Sequence, residues 1–245
     1  MDPAQQHDAD VADNIRRLLA DGDVQALSRI WLRETARYRY SYNFRWLGRP
    51  IIQYPQDVFA LQEIMWDVKP DLVVETGIAH GGSLIFYASI LELLGGRGRV
   101  LGIDVDLRAH NRTAIEAHPM SKRIDMIEGS SVDPHVIETV HRRAAESPSV
   151  LVVLDSNHTH EHVLAELNAY QSIVRPGGYI AVLDTVIEDM QADAFPNRPW
   201  GPGNNPKTAV HEFLRHNSRF EIDRDLDAKL LISVAPEGYL RCVGP

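Results

Sequence analysis

Residues 73–83 read VVETGIAHGGS, and residues 102–104 read GID. The first stretch is typical of a buried strand that runs into a glycine turn and a helix, and the second of a buried strand that ends in an acid. A strand, a crossover helix and a second strand form the repeating unit of a parallel sheet. This pattern predicts an α/β fold with a nucleotide or adenosyl site at the turn.

The spacing of the glycines indicates which ligand the turn suits. A dinucleotide-binding turn needs G-x-G-x-x-G, whereas here Gly77 is followed by Gly81 and Gly82. Glu75, at the end of the strand, would also repel a pyrophosphate. A cationic or zwitterionic ligand such as S-adenosylmethionine (SAM) fits better, and Asp104 could bind its ribose hydroxyls. The alternative is that these glycines serve only to reverse the chain.

Length and composition limit the class of protein. The chain has 245 residues, enough for one large α/β domain with or without an N-terminal extension. Its net charge of -9 argues against a nucleic-acid surface and favours a small-molecule substrate. The single cysteine, Cys242, cannot form an internal disulfide, and no apolar run is long enough to span a membrane. We expect a cytoplasmic protein with no membrane partner.

The N-terminal part of the chain is predicted to be a helical or lid extension over residues 1–50, ahead of a catalytic domain over residues 51–245. Apolar residues up to about position 35 are spaced for helix faces that could cover the catalytic domain or a partner subunit, so a homo-oligomer is expected. Between residues 38 and 49, aromatic side chains alternate with arginines. That alternation fits either a half-buried strand or a substrate lid.

Strand and helix signals alternate in the remainder of the chain, as in a parallel sheet. The predicted parallel strands are residues 72–75, 100–104, 124–128, 150–155 and 179–184. Residues 220–223 and 229–234 are predicted to form an antiparallel edge. The expectation is a mostly parallel seven-stranded sheet with helices on both faces.

Four predicted strands end in an acid: Glu75, Asp104, Asp155 and Asp184. Ligands of open parallel sheets bind beyond the carboxyl ends of the strands, although a helix N-cap explains many such acids. With the strand order of a Rossmann-like methyltransferase, Glu75 and Asp104 would flank the cofactor, and Asp155 and Asp184 would lie side by side near the acceptor. Two adjacent carboxylates need a proton or a cation between them, and magnesium suits such oxygen ligands.

His158 follows Asp155 by three residues, where it could hang over the site and accept a proton. The alternative role for His158 is that of a neighbour to a helix N-cap. His160 and His162 fit no standard zinc motif and are expected to be solvated residues at the start of a surface helix.

Two further segments are candidates for ligand contact. Ser131 and Asp133, after the third parallel strand, could contact an adenine or cap the next helix. Residues 191–206 are rich in Pro, Gly and Asn, so they form either a loop that closes over the acceptor or a plain surface connection. Within this loop, Trp200 could stack on a sugar ring or on an aglycone.

From about Tyr40 to its C-terminus, the sequence resembles the SAM-dependent sugar O-methyltransferases that include rhamnosyl O-methyltransferases and the cephalosporin hydroxylase proteins of antibiotic pathways. The segments that carry the resemblance are WDVKP (66–70), ETG (75–77) with GGS (81–83), GID (102–104), LD (154–155) with His158, LD (183–184), and WGPGNNP (200–206).

The resemblance implies a Rossmann-like class I methyltransferase that acts on a sugar hydroxyl, such as that of a deoxysugar in a glycosylated natural product. Asp155 and Asp184 would hold magnesium, and His158, with Asp155 beside it, would deprotonate the hydroxyl. The alternative is a component of an antibiotic-modifying oxygenase system. The predicted cofactor-binding residues are Glu75, Thr76, Gly77, Gly81, Ser83, Asp104, Ser131 and Asp155.

One position departs from the family pattern. Related metal sites often carry an acid pair at the end of the fifth strand, where this chain has Leu183 and Asp184. Water, a substrate diol, Glu188 or Asp189 could replace the lost ligand.

Overall fold

The computed structural model describes residues 2–245. Its α-helices are α1 (Pro3–Ala20), α2 (Gly22–Ala36), α3 (Pro55–Val68), α4 (Gly82–Leu94), α5 (Ala109–Glu116), α6 (Pro134–Ala145), α7 (His160–Tyr170), α8 (Pro206–His216) and α9 (Arg224–Leu230). Its strands are β1 (Phe44–Trp46), β2 (Arg49–Ile51), β3 (Leu72–Thr76), β4 (Arg99–Asp104), β5 (Ile124–Glu128), β6 (Val150–Leu154), β7 (Tyr179–Val182), β8 (Phe220–Ile222) and β9 (Tyr239–Cys242). Over these residues, no helix combines the length and the apolar character needed to cross a membrane.

The main sheet has seven strands in the order β5-β4-β3-β6-β7-β9-β8. Strands β3 to β7 are parallel, and β9 runs antiparallel to both of its neighbours. The chain moves outward from β3 to β5 and then returns to place β6 on the other side of β3. A crevice at such a switch point is where open α/β sheets bind ligands. The predicted fold class is thereby confirmed.

The sheet separates two apolar clusters, because alternate residues of each strand point to opposite faces. Helices α3, α4 and α9 cover one face, which includes Val73 and Val153. Helices α6, α7 and α8 cover the other, which includes Val74 and Val152. Both β3 and β6 are buried along their whole length, as a central parallel strand requires.

The prediction of a strand at residues 229–234 is wrong, because residues 224–230 form α9. Asp223 caps this helix by accepting a hydrogen bond from the backbone N–H of Leu226 (3.0 Å), and the apolar residues Leu226 and Leu230 face the core one turn apart. The short apolar run at residues 230–232 does not by itself distinguish a helix from a strand. The seventh strand is β9, inserted between β7 and β8.

The N-terminal region is helical, as predicted, and then forms a small aromatic unit. Helix α1 has no buried residue and lies against α9, whereas α2 buries Leu32. After a 3₁₀ turn at Tyr40–Asn43, β1 and β2 form a hairpin whose inward aromatic side chains are partly buried on α4. The half-buried strand thus describes only Phe44 and Trp46, because Tyr38 and Tyr42 are exposed in the turns that precede β1. A role of this segment as a substrate lid stays a prediction. The division at residue 50 stays a prediction, and β2 runs across it.

Candidate functional site

The strand-end acids lie along one edge of the sheet. Thr76, at the end of β3, pairs with Ile103 of β4 on one side and with Leu154 of β6 on the other. Leu154 in turn pairs with Val182 of β7. This register brings Glu75 and Asp104 to one half of the edge, and Asp155 and Asp184 to the other half, as the sequence predicted.

The turn after β3 approaches its neighbours very closely. Gly77 has φ +91°, and a Cβ atom there would lie 2.0 Å from the carbonyl oxygen of Asp155. Gly81, also left-handed, would place a Cβ atom 2.3 Å from the side chain of Ile115. Only glycine fits at position 77, where the turn runs directly beside the end of β6, whereas at position 81 the left-handed backbone favours glycine and the Ile115 side chain lies close.

Asp104 fixes the backbone of this turn through hydrogen bonds. Its Oδ2 accepts hydrogen bonds from the backbone N–H groups of Ile78 (2.8 Å) and Ala79 (3.2 Å), and its Oδ1 accepts one from Asp106 (3.0 Å). The predicted contact of Asp104 with a ribose stays a prediction. The structure adds that its carboxylate fixes the backbone of the turn, a role that the sequence pattern did not indicate.

Glu75 is fully buried at the base of the turn. The Ser83 hydroxyl donates to its Oε2 (2.7 Å), while its Oε1 is buried without a partner among residues 2–245. Burial raises the pKa of Glu75 to about 8. The Tyr87 hydroxyl beside Glu75 is also buried without a partner among these residues, so Oε1 can accept either from Tyr87 or from a ligand that brings a donor, such as an ammonium group.

The other half of the edge is a cluster of Asp155, His158 and Asp184, whose candidate ligand atoms all lie within 4.8 Å of one another. His158 Nε2 is 3.2 Å from Asp184 Oδ2. Burial raises the pKa of Asp155 well above its ordinary range, and the negative charges of Asp184, Glu75 and Glu166 raise it further. The two carboxylates supply the oxygen ligands that a hard divalent cation takes, and such a cation completes its shell with water or substrate oxygens.

Glu188 and Asp189 do not join this cluster. Glu188 Oε2 accepts hydrogen bonds from the backbone of Gly203 (2.7 Å) and from the Asn205 amide. Asp189 pairs with the buried Lys207, with 2.5 Å between Oδ2 and Nζ. Both acids anchor the end of the loop over residues 191–206, so neither replaces the acid missing from position 183.

This loop reaches the acid cluster through Trp200. The rings of Trp200 and His158 meet edge to face, with 4.8 Å between centroids, and the Arg198 guanidinium lies 5.0 Å from the centroid of the Trp200 ring. The loop therefore forms one wall of the site. Stacking of Trp200 on a sugar or an aglycone stays a prediction.

The expectation that His160 and His162 are solvated is wrong, although they do start a helix. His160 donates its backbone N–H to Asn204 Oδ1 (2.9 Å), and its Nδ1 lies 2.8 Å from Thr208 Oγ1. This histidine therefore ties α7 to the loop. The imidazole of His162 lies inward, where packing of α7 against the sheet buries most of it.

His162 links the two halves of the edge. Its Nε2 lies 3.0 Å from Ser131 Oγ and 3.2 Å from Ser156 Oγ, and the Ser156 hydroxyl donates to the buried Glu166 (2.7 Å). Ser131 is buried and does not cap a helix. Asp133 does cap α6, accepting a hydrogen bond from the backbone N–H of His135 (2.8 Å).

Sequence reasoning also missed Gln53, which lies just before α3. Its side chain is 3% exposed, with Nε2 3.5 Å from Asp155 Oδ2 and Oε1 without a partner among the described residues. No spacing rule joins a glutamine to an aspartate 102 positions further along the chain. Burial of a polar amide beside the acid cluster is visible only in the folded protein.

A parallel sheet with this order, a glycine turn after its central strand and acids beyond the adjacent strands define the class of Rossmann-like methyltransferases. Within that class, the chain belongs to the Rhamnosyl O-methyltransferase/CmcI family, whose model matches residues 38–243. This match confirms the family recognised from the residues and the prediction that the chain is a SAM-dependent O-methyltransferase.

Individual rhamnosyl O-methyltransferases are similar to this chain in sequence. A rhamnosyl O-methyltransferase of Mycobacterium bovis is 30% identical over 189 residues, covering 75% of this chain and 72% of the relative. One of Mycobacterium leprae is 28% identical over 200 residues, covering 80% and 81%. A structure of CmcI described with Mg and SAM has a TM-score of 0.58 at 17% identity and covers 83% of this chain and 78% of that one. At that identity the structural likeness shows the fold.

Proposed function

We propose that the protein transfers the sulfonium methyl group of SAM to a hydroxyl of a deoxysugar on a glycosylated natural product, assisted by magnesium, with His158 as general base. The cluster of Asp155, His158 and Asp184 beside the glycine turn carries this proposal. The rhamnosyl O-methyltransferases among its relatives support a sugar hydroxyl as the acceptor.

The half of the edge formed by β3 and β4 would bind the cofactor. Glu75 Oε1, buried and unpartnered among the described residues, would accept from the ammonium group of SAM. Gly77 and Gly81 would bring the backbone of the turn to the cofactor, with Thr76 and Ser83 on either side of the turn. Asp104 would face the ribose, with Ser131 at the adenine end.

The other half would bind the acceptor. Asp155 and Asp184 would hold magnesium, which when bound lowers the pKa of a hydroxyl that it coordinates. An alcohol becomes an effective nucleophile toward a methyl sulfonium only as its proton leaves. A base must therefore lie within hydrogen-bond reach of that hydroxyl.

His158 would be this base. Asp184 lies 3.2 Å from its Nε2 and can orient the imidazole and stabilise the cation that forms when it takes the proton. The Trp200 ring also packs perpendicular to the imidazole, with 4.8 Å between the ring centroids, and so restricts its orientation.

An oxygenase, the alternative function, would need a different set of metal ligands from the cluster seen here. Non-haem iron oxygenases hold iron with two histidines and one carboxylate. The cluster here has the reverse proportion, two carboxylates and one histidine. This donor set favours magnesium-assisted methyl transfer.

The test combines calorimetry with an acceptor screen. The purified protein should bind SAM, and labelled SAM should transfer its methyl group to glycosides carrying a deoxysugar, in a reaction that a chelator stops and added magnesium restores. His158→Gln should reduce transfer by roughly 100-fold or more, while His135→Gln, an exposed histidine on α6, should leave it unchanged. Failure of the wild-type protein to bind SAM would refute the proposal. Full activity in excess chelator would refute its metal component.

A further inference from the structure

The turn that follows β3 is held by a residue from the N-terminal hairpin. Arg49, on β2, donates from Nε to the carbonyl oxygen of His80 (3.0 Å) and from Nη2 to the same oxygen. Its Nη2 also donates to Asn111 Oδ1 (3.1 Å). Asn111, buried on α5, donates from Nδ2 to the carbonyl oxygen of Ala79 (2.8 Å). Two consecutive carbonyl groups of the turn are thus fixed by one connected pair of side chains.

The hairpin backbone also lies directly against the start of α4. A Cβ atom at Gly82 would lie 2.1 Å from the carbonyl oxygen of Pro50. Glycine at position 82 therefore allows the hairpin to dock on the helix N-terminus, and this docking brings Arg49 to the turn.

The conformation of the turn explains why such contacts matter. Ala79 has φ +46°, a left-handed backbone that is unfavourable for alanine. Asp104 holds the N–H groups of Ile78 and Ala79, while Arg49 and Asn111 hold the carbonyl groups of Ala79 and His80. Strained backbone persists where surrounding contacts over-determine it. Here the contacts come from three separate parts of the chain.

We propose that Arg49 and Asn111 are positioning residues of the cofactor site, which hold residues 78–80 in the conformation that receives SAM. This inference rests on the proposed function, because it assumes that the turn binds the cofactor. It assigns a function to the aromatic and basic N-terminal segment, which supplies Arg49. Whatever that segment does for the acceptor, its Arg49 acts on the cofactor side.

The test measures SAM affinity and turnover separately. Arg49→Gln removes the charge and the double contact with His80, so the Kd for SAM should rise about 10-fold. The kcat at saturating SAM and the KM for the acceptor should change less than about 2-fold, because the acid cluster is untouched. Arg49→Lys, which can still donate to one carbonyl, should recover part of the affinity.

A matched control lies on the same hairpin. Arg45 is exposed and donates only to the Gly48 carbonyl within the hairpin turn, so Arg45→Gln should bind SAM like the wild type. In protein without cofactor, amide hydrogen exchange of residues 78–82 should be faster in Arg49→Gln and unchanged in Arg45→Gln.

The outcomes separate this inference from the proposed function. If the wild type does not bind SAM, the proposed function fails. If the wild type binds SAM and Arg49→Gln binds it equally well, with unchanged exchange in the turn, the positioning role is wrong. A fall in melting temperature with unchanged SAM affinity would also overturn it.

Discussion

The two halves of the strand-end edge differ in how their polar groups are satisfied. In the half formed by β3 and β4, Asp104 accepts three backbone hydrogen bonds, and Arg49 and Asn111 occupy the facing carbonyl groups. In the half formed by β6 and β7, Asp155 and Asp184 lie close together, with His158 and the Gln53 amide as their side-chain neighbours.

The backbone of the turn in the first half is thus held by the chain itself, although Glu75 Oε1 beneath it is buried without a partner among the described residues, whereas the second half brings two carboxylates together. A turn held by hydrogen bonds on both sides is preorganised, so cofactor binding costs little reordering. Two carboxylates in a partly buried position repel each other until a proton or a cation joins them. We call the half formed by β3 and β4 the cofactor half and the half formed by β6 and β7 the acceptor half, after their proposed ligands. We therefore expect SAM binding at the cofactor half to depend on shape and hydrogen bonding, and methyl transfer at the acceptor half to depend on charge.

The largest effect should come from the charge of the acceptor half. Asp184→Asn removes a metal ligand and the partner of His158, so methyl transfer should fall by roughly 1,000-fold. The Kd for SAM should stay within about 3-fold, because the cofactor half is intact. Transfer rates and calorimetry on the same preparation would measure both. Asp193→Asn, in the exposed part of the loop, is the control, and equal losses of transfer and SAM binding in Asp184→Asn would contradict a division between the halves.

The next largest effect should come from Gly77, where the turn after β3 contacts the end of β6. Gly77→Ala would push a Cβ atom against the Asp155 carbonyl, so unfolding free energy should fall by about 3 kcal/mol or more, with loss of SAM binding. Gly177 has a similar φ of +85° and open space around it, so Gly177→Ala should cost only about 1 kcal/mol. Urea denaturation would compare them. Equal losses in the two variants would show that backbone strain, and not the contact with Asp155, decides the effect.

An effect that is small at any one pH but accumulates with pH should come from Glu75. Because burial raises its pKa to about 8, the folded protein holds this proton more tightly than the unfolded chain does. The contribution of Glu75 to stability is then greatest below about pH 4.5 and is lost as the pH rises toward 8. Glu75→Gln should flatten the fall in stability across this window by on the order of 1 kcal/mol per pH unit.

Denaturation at several pH values, without SAM, would measure this slope. Glu138→Gln, an exposed position on α6, should leave the slope unchanged. An unaltered slope in Glu75→Gln would mean that Glu75 is ionised in the folded protein. That result would contradict a raised pKa for Glu75, while an ionised Glu75 would still be a strong acceptor for an ammonium group.

The smallest effect should come from His162, which joins the two halves through Ser131 and Ser156. His162→Gln keeps one polar group at this junction, so the Kd for SAM should rise only about 3-fold. Calorimetry would measure the change, with His110→Gln, an exposed position on α5, as control. A larger loss in methyl transfer than in SAM binding would place His162 with the acceptor half.

Much of the fold followed from local patterns. The strand at Ile124–Glu128 was predicted with its exact bounds, because a continuous strand signal there ends at a glycine. Residues 229–234 were not, because an apolar run of three residues has no period and its helix depends on the Asp223 cap. The acids at the strand ends could be predicted because parallel strands place their carboxyl ends on one edge.

The partners of those acids could not be predicted in the same way. Asp104 was expected to face a ribose, and its bonds to the turn arise from the close packing of β3 beside β4. His162 was expected in solvent and lies against Ser131, because α7 packs that face of its first turn toward the sheet. Such contacts join residues 26 and 31 positions apart, beyond the reach of any local spacing rule.

The sequence by itself determined the alternation of strands and helices from β3 to β7, the glycine turn and the acids at the strand ends, because hydrophobic period and turn chemistry act over a few residues. Tertiary structure decided which of these groups are free for a ligand. In the folded protein, Asp104, Glu188 and Asp189 accept hydrogen bonds from other parts of the chain. Packing also brings Arg49 and Gln53 to the site. Asp155, His158 and Asp184 lie together there. Whether a polar group is satisfied depends on which distant segments pack against it, and only the folded chain specifies that packing.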